Sequence, residues 1–87
     1  MKGKTSSGFE FDVEEKALDD YRLVKDLRAI SKGDGGLIVD VTERLLGVDQ
    51  EEALMKHVEN LNDGKCSASA MVAEIRDIFE ELKTKNS

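Results

Sequence analysis

The chain has 87 residues and a formal net charge of −6 at pH 7; 39% of its residues are hydrophobic and 37% are charged. The hydrophobic fraction is sufficient for one small globular core and too high for a disordered chain, while the length leaves no room for a second domain. The negative charge argues against nucleic-acid backbones and anionic membrane surfaces as partners, because both would repel this protein.

The N-terminus and the single cysteine predict a cytoplasmic protein. The first eight residues, MKGKTSSG, are polar and contain no apolar signal segment. No apolar run approaches the roughly 20 residues that are needed to span a bilayer. Because Cys66 is the only cysteine, folding cannot depend on an internal disulfide or on an oxidising compartment.

The N-terminal segment predicts a short β-strand or β-hairpin over about residues 2–13. Phe9, Phe11 and Val13 alternate with acidic residues, which is the pattern of a half-buried strand. A single strand leaves its backbone groups without partners, so we expect it to pair with the segment that precedes it. Residues 6–8, Ser-Ser-Gly, would form the turn between the two strands.

Residues 15–31 predict the first amphipathic helix. Two starting points are open: Asp12 and Glu15 have the spacing of a capping box, and Asp19 or Asp20 is suited to cap a later start. The residues expected on the buried face recur every three or four positions: Ala17, Leu18, Tyr21, Val24, Leu27 and Ile30.

The segment 31–36, SKGDGG, ends that helix, since each of its three glycines would cost a helix interior about 1 kcal/mol. A second helix is predicted over residues 37–46, and Gly47 is typical of the residue that follows a helix end. The alternative for its first five residues, LIVDV, is a strand, because they are rich in β-branched side chains.

Two further helices, over residues 49–62 and 68–83, are predicted to form an antiparallel hairpin around a turn at Asn62, Asp63 and Gly64. Asp49 is the expected N-cap of the first helix, and Ser67 or Ser69 that of the second. The predicted buried stripes are Leu54, Val58 and Leu61 on the first helix and Met71, Val72, Ile75, Ile78, Phe79 and Leu82 on the second.

The outer face of the last helix is predicted to carry Glu74, Arg76, Asp77, Glu80 and Glu81, and residues 84–87 to form a frayed tail. The predicted fold class is therefore mainly α, with three to four short helices in a small bundle and a short N-terminal β element. All 87 residues are predicted to form a single domain.

No pattern in the sequence predicts a catalytic, cofactor or metal site. His57 is the only histidine, so we interpret it as a structural side chain, and Cys66 as a small semi-buried one. The turn at Gly64 fails as a calcium loop, because Leu61 and Ala70 would occupy ligand positions. We therefore expect a non-enzymatic protein without cofactors or metals.

Three stretches of the chain resemble, in order and length, the small tail assembly chaperones of long-tailed bacteriophages and prophages of Gram-positive bacteria. They are SGFEFDVEEKALDDYRLVKDL at 7–27, ERLLGVDQEEALMKHVENLNDGK at 43–65 and AMVAEIRDIFEELKTKNS at 70–87. The chain departs from the family's pattern at Cys66–Ser69, where related sequences tend to carry a proline and more acidic residues. The resemblance therefore does not indicate which residue caps the last helix.

The resemblance implies a protein that binds the tape measure protein, a very long helical chain, and keeps it soluble. Such chaperones also help to recruit tail tube proteins, act in the cytoplasm of the host bacterium and are absent from the mature virion. Homo-oligomers are a further expectation, because an unpaired edge on the strand 9–13 would permit strand addition.

Two other classes of protein fit the sequence. One is a small acidic regulatory or inhibitor protein that acts on a basic partner protein. The other is a structural head–tail connector subunit, which would remain in the virion. Partner-contact residues are not indicated by the sequence for any of the three classes.

Overall fold

A computed structural model describes residues 1–86 of the chain, with the side chains of Leu18, Lys85 and Asn86 excepted. The mainly helical fold class with a short N-terminal hairpin is confirmed. The elements in chain order are β1 (Lys2–Lys4), β2 (Glu10–Asp12), a 3-10 helix (Glu15–Asp19), α1 (Tyr21–Ser31), a second 3-10 helix (Gly35–Leu37), α2 (Ile38–Leu61) and α3 (Ala68–Asn86).

The two strands form the predicted antiparallel hairpin, in which Gly3 pairs with Phe11. Phe9, Phe11 and Val13 are all buried, as their alternation with acidic residues predicted. A Cβ at Gly3 would lie 2.5 Å from Cζ of Phe11, so the aromatic ring lies directly over the glycine. The apolar face of the hairpin thereby becomes part of the core.

One contiguous hydrophobic core joins the hairpin and the three helices. Its centre is the apolar face of α3, where the predicted stripe is confirmed for Met71, Ile75, Ile78, Phe79 and Leu82. The largest side chains that are almost completely buried are Leu23, Val41, Leu54, Ile75, Ile78 and Leu82.

The predicted helix over 15–31 is wrong in its first turns. Residues 15–19 form a 3-10 helix, and Asp20 is extended (φ −80°, ψ 104°) where its carboxylate accepts a hydrogen bond of 3.2 Å from the amide of Leu23. The later of the two starting points is therefore correct. Because α1 begins after this cap, Leu23 points into the core, whereas Tyr21 is 81% exposed and Val24 43% exposed.

The two helices predicted over 37–46 and 49–62 are parts of α2, which is kinked at Gly47 (φ 78°, ψ 166°). The strand alternative for LIVDV is wrong, because Leu37 ends the second 3-10 helix and the next four residues begin α2. The predicted N-cap at Asp49 is wrong, since no amide of residues 1–86 donates to its carboxylate. Across the kink, the side-chain amide of Gln50 instead donates to the carbonyl of Leu46 (2.9 Å). Leu54 and Val58 are buried as predicted, but Leu61, at the end of α2, is 63% exposed.

The last helix begins where the sequence predicts and ends later. Ser67 is the cap, since its hydroxyl accepts a hydrogen bond of 3.2 Å from the amide of Ala70. The predicted tail at 84–87 is wrong for residues 84–86, which continue α3, while Ser87 lies outside the described residues. No glycine or proline interrupts this segment, and the Thr84 hydroxyl bonds to the carbonyl of Glu80 within the helix (2.9 Å).

Candidate functional site

The turn of the β-hairpin is held against α3 by two carboxylates that lie one helical turn apart. Glu74 accepts hydrogen bonds of 2.9 Å from the hydroxyls of Thr5 and Ser7. Asp77 accepts from both the amide and the hydroxyl of Ser6, at 2.6 and 2.5 Å. Three consecutive turn residues are therefore fixed by one face of α3.

The burial of Glu74 corrects the prediction that it lies on the outer face of α3. Its exposed fraction is only 9%, because the hairpin turn covers it, and Thr5 in that turn is 4% exposed. The Thr5 oxygen also accepts a hydrogen bond of 3.1 Å from the amide of Phe9. Each buried polar group here has a partner, so burial carries little desolvation penalty.

His57 completes this polar cluster from α2. Its Nε2 lies 3.0 Å from the Ser7 hydroxyl, and its ring packs against Phe9 with centroids 5.6 Å apart. The one proton of the Ser7 hydroxyl is donated to the carboxylate of Glu74. The hydroxyl therefore accepts from Nε2–H of His57, the opposite of the proton direction that would activate a serine nucleophile.

The hydrogen bonds at Asp77 change its ionisation. The Ser6 hydroxyl lowers the pKa of the Asp77 carboxyl below 3.8, the Ser6 amide lowers it further, and partial burial opposes both effects. The ionised carboxylate is thus the form that holds the turn. The cluster has the arrangement of a structural junction between the hairpin, α2 and α3.

Cys66 is partly buried in the segment between α2 and α3. Burial raises the pKa of its thiol, and the negative charge of Glu59 raises it further. Both effects disfavour the thiolate, which is the reactive form of cysteine. Among the residues that the structure describes, no three histidine, cysteine or acidic side chains are grouped so that they could hold a metal ion.

The outer surface of α2 carries a second group of residues, which we call the acidic seam: Val48, Glu51, Glu52, Met55 and Glu59. The spacing of three, four and seven residues places them on one face of the helix. Val48 is 69% exposed and Met55 37% exposed. Burial raises the pKa of Glu51, and repulsion from Glu43 and Glu52 raises it further, so the carboxylates here are crowded.

The outer edge of β2 is covered by a side chain that the sequence analysis missed. Gln50 accepts a hydrogen bond of 2.7 Å from the amide of Asp12 and donates one of 2.8 Å to its carbonyl. The expected free edge on strand 9–13 is therefore closed at Asp12. No local pattern marks Gln50 for this role, because it depends on how the kink at Gly47 places the second part of α2.

No protein-family model, curated protein or solved structure matches the chain. Across residues 1–86, none of the helices has the length and apolar character that crossing a membrane requires. A function must therefore be inferred from the sequence and from exposed surfaces such as the acidic seam.

Proposed function

We propose that the protein is a tail assembly chaperone of the type found in long-tailed bacteriophages and prophages of Gram-positive bacteria. In this role it binds the tape measure protein without catalysing a reaction, keeps that chain soluble and helps to recruit tail tube proteins. It acts in the cytoplasm of the host bacterium and is left out of the mature virion. The resemblance of residues 7–87 and the acidic seam support this proposal.

The acidic seam is the observation on which the proposal depends most. Val48 and Met55 lie seven residues apart on α2 and are exposed, which is the spacing at which one helix packs along another. The carboxylates of Glu51 and Glu52 lie beside them on the same face. A partner helix that carries an apolar stripe between lysines or arginines would cover the apolar side chains and relieve the repulsion at Glu51. A very long helical chain offers many such stretches.

Co-expression with a tape measure protein tests the proposal. We expect the wild-type chain to co-purify with the tape measure protein encoded beside it and to increase the soluble fraction of that protein. The double variant V48S/M55S should lose both effects, because it removes the exposed apolar side chains of the seam. The matched control is V39S/L61S, which removes two apolar residues of α2 that are 61% and 63% exposed and lie outside the seam. Equal losses in the two variants, or no co-purification at all, would contradict the proposal.

The crowded carboxylates Glu43, Glu51 and Glu52 also favour a second candidate, an acidic inhibitor of a basic protein. An inhibitor of this kind would depend on charge, so E51Q/E52Q should abolish binding and V48S/M55S should largely retain it. For a chaperone that packs on a helix, V48S/M55S should abolish binding and E51Q/E52Q should largely retain it. Mass spectrometry of purified virions separates both from a head–tail connector, which stays in the particle.

A further inference from the structure

A groove of about 510 Å³ lies between α1 and α3 and shares no residue with the acidic seam. Its apolar lining comes from Val24, Leu27 and Phe79. Leu27 and Phe79 are almost buried, whereas Val24 is 43% exposed. An apolar side chain that lines a groove and is this open to water can form a contact with another molecule.

The rim of the groove is basic although the protein is acidic. Arg28, Arg76 and Lys83 line it, and the one carboxylate among the lining residues, Glu80, lies 3.7 Å from Lys83. Arg28 and Arg76 make no ion pair with any residue in the range 1–86, whereas Arg44 is paired with both Asp26 and Asp40. Two guanidinium groups are therefore free to bind carboxylates, for which their geometry is well suited.

The length of the groove fits a short helix. Tyr21, Val24 and Arg28 are spaced by three and four residues, so they follow one another along one face of α1. Tyr21 is 81% exposed. On α1 the groove is lined from Val24 to Ser31, a stretch of helix about 12 Å long, which matches about two turns of a partner helix.

We infer that the groove between α1 and α3 binds an amphipathic helix of a partner protein, with its apolar residues against Val24 and its carboxylates on Arg28 and Arg76. This helix has the opposite charge to the partner of the acidic seam. The protein would therefore join two proteins through two separate surfaces. A nucleic-acid backbone fits less well, since it has no apolar side chains to place against Val24 in the groove.

Two synthetic peptides test this inference. Each is an amphipathic helix of about 14 residues, or four turns, with leucines on one face and either glutamates or lysines beside them. Each is titrated into the isotope-labelled full chain and followed by NMR. We expect the glutamate peptide to bind saturably and to shift the amide signals of Val24, Arg28 and Phe79. The lysine peptide should leave these signals unchanged.

Charge reversal gives the matched comparison. The variant R28E/R76E should weaken binding of the glutamate peptide by at least about tenfold. The control K16E/K65E makes the same change in net charge at exposed positions outside the groove, and should change the affinity less than about twofold. Circular dichroism verifies folding, and R28Q/R76Q gives the same comparison if the reversed variant does not fold. Tyr21, the only tyrosine in a chain without tryptophan, provides an independent fluorescence signal beside the groove.

Four results of the peptide experiments would overturn the inference. They are equal binding of the two peptides, signal shifts on α2 in place of α1 and α3, an unchanged affinity in R28E/R76E, and displacement of the peptide by a single-stranded oligonucleotide. Shifts of the groove amides on raising the protein concentration without peptide would also overturn it, because a second copy would then occupy the groove. None of these results depends on tape measure binding, so the inference and the proposed function can fail separately.

Discussion

The Thr5 hydroxyl links the hairpin to α3, because it accepts from the amide of Phe9 and donates to Glu74. In E74A this nearly buried hydroxyl and that of Ser7 lose their acceptor. We expect the free energy of unfolding to fall by about 2 kcal/mol, as is typical when a buried polar group is left unpaired. Urea denaturation measures the loss.

The matched control for this residue is E80A, which removes a glutamate of the same helix that is exposed and pairs with Lys83 at 3.7 Å. Such surface pairs contribute less than about 1 kcal/mol. A loss in E74A no larger than in E80A would mean that the contacts of Glu74 with the turn do not stabilise the fold.

At the scale of the elements, Gly47 sets the shape of α2. Its backbone angles of φ 78° and ψ 166° fall in a region that is open essentially only to glycine. A Cβ at this position would have no neighbouring atom within 4 Å, so the expected cost of G47A is conformational and not steric. We expect G47A to lose about 1–3 kcal/mol of stability by urea denaturation. The control G35A, where a Cβ is also free of neighbours, should lose little.

The edge of β2 gives a second prediction at this scale. In Q50A the amide and carbonyl of Asp12 lose their side-chain partner, which should cost about 1 kcal/mol and uncover a strand edge. We expect the molar mass in analytical ultracentrifugation to increase with concentration more steeply for Q50A than for the wild type. K56A, an exposed substitution on the same helix, serves as the control. Identical association of Q50A and K56A would show that Gln50 does not protect the edge.

Local sequence patterns predict which side chains are buried when the buried face depends only on the residue spacing within one helix or strand. The alternation of Phe9, Phe11 and Val13 and the stripe on α3 belong to this group. The inward side of α1 was predicted for Leu27 and Ile30, but Leu23 was missed and Tyr21 and Val24 were wrong. The reason is the cap at Asp20, which changes where the helix begins. Glu74 was missed because the turn that buries it is 67 or more residues away in the chain. The groove could not be predicted, since it requires the relative placement of α1 and α3.

At the scale of the whole molecule, charge is separated between two surfaces. Carboxylates crowd the acidic seam of α2, and arginines that have no ion pair within residues 1–86 line the groove between α1 and α3. The net charge of −6 means that repulsion opposes folding at neutral pH. The two surfaces nevertheless suit partners of opposite charge, so one small domain can bring two different proteins together.

The same charges predict how stability depends on pH. The pKa of Glu51 is raised in the folded protein by burial and by Glu43 and Glu52, so its ionised form opposes folding and stability rises as pH falls through that pKa. The pKa of Asp77 is lowered by Ser6. Its ionised carboxylate therefore stabilises the fold fully at pH values well above 3.8, and this stabilisation is lost as the pH falls through the lowered pKa of the folded state. We therefore expect maximal stability at mildly acidic pH.

Two variants, measured by urea denaturation from pH 3 to pH 8, distinguish the effect of Glu51 at high pH from that of Asp77 at low pH. E51Q should stabilise the protein at pH 7 by a few tenths of a kcal/mol, the size of like-charge effects on a helix surface, and the gain should disappear as the pH falls and Glu51 is neutralised. D77N should be less stable than the wild type above about pH 5, and the difference should decrease as the pH falls toward the lowered pKa of Asp77. E10Q, which removes an exposed carboxylate of β2, is the control. A wild-type profile that is highest at pH 8, with E51Q no different from E10Q, would mean that the crowding of carboxylates on α2 does not oppose folding.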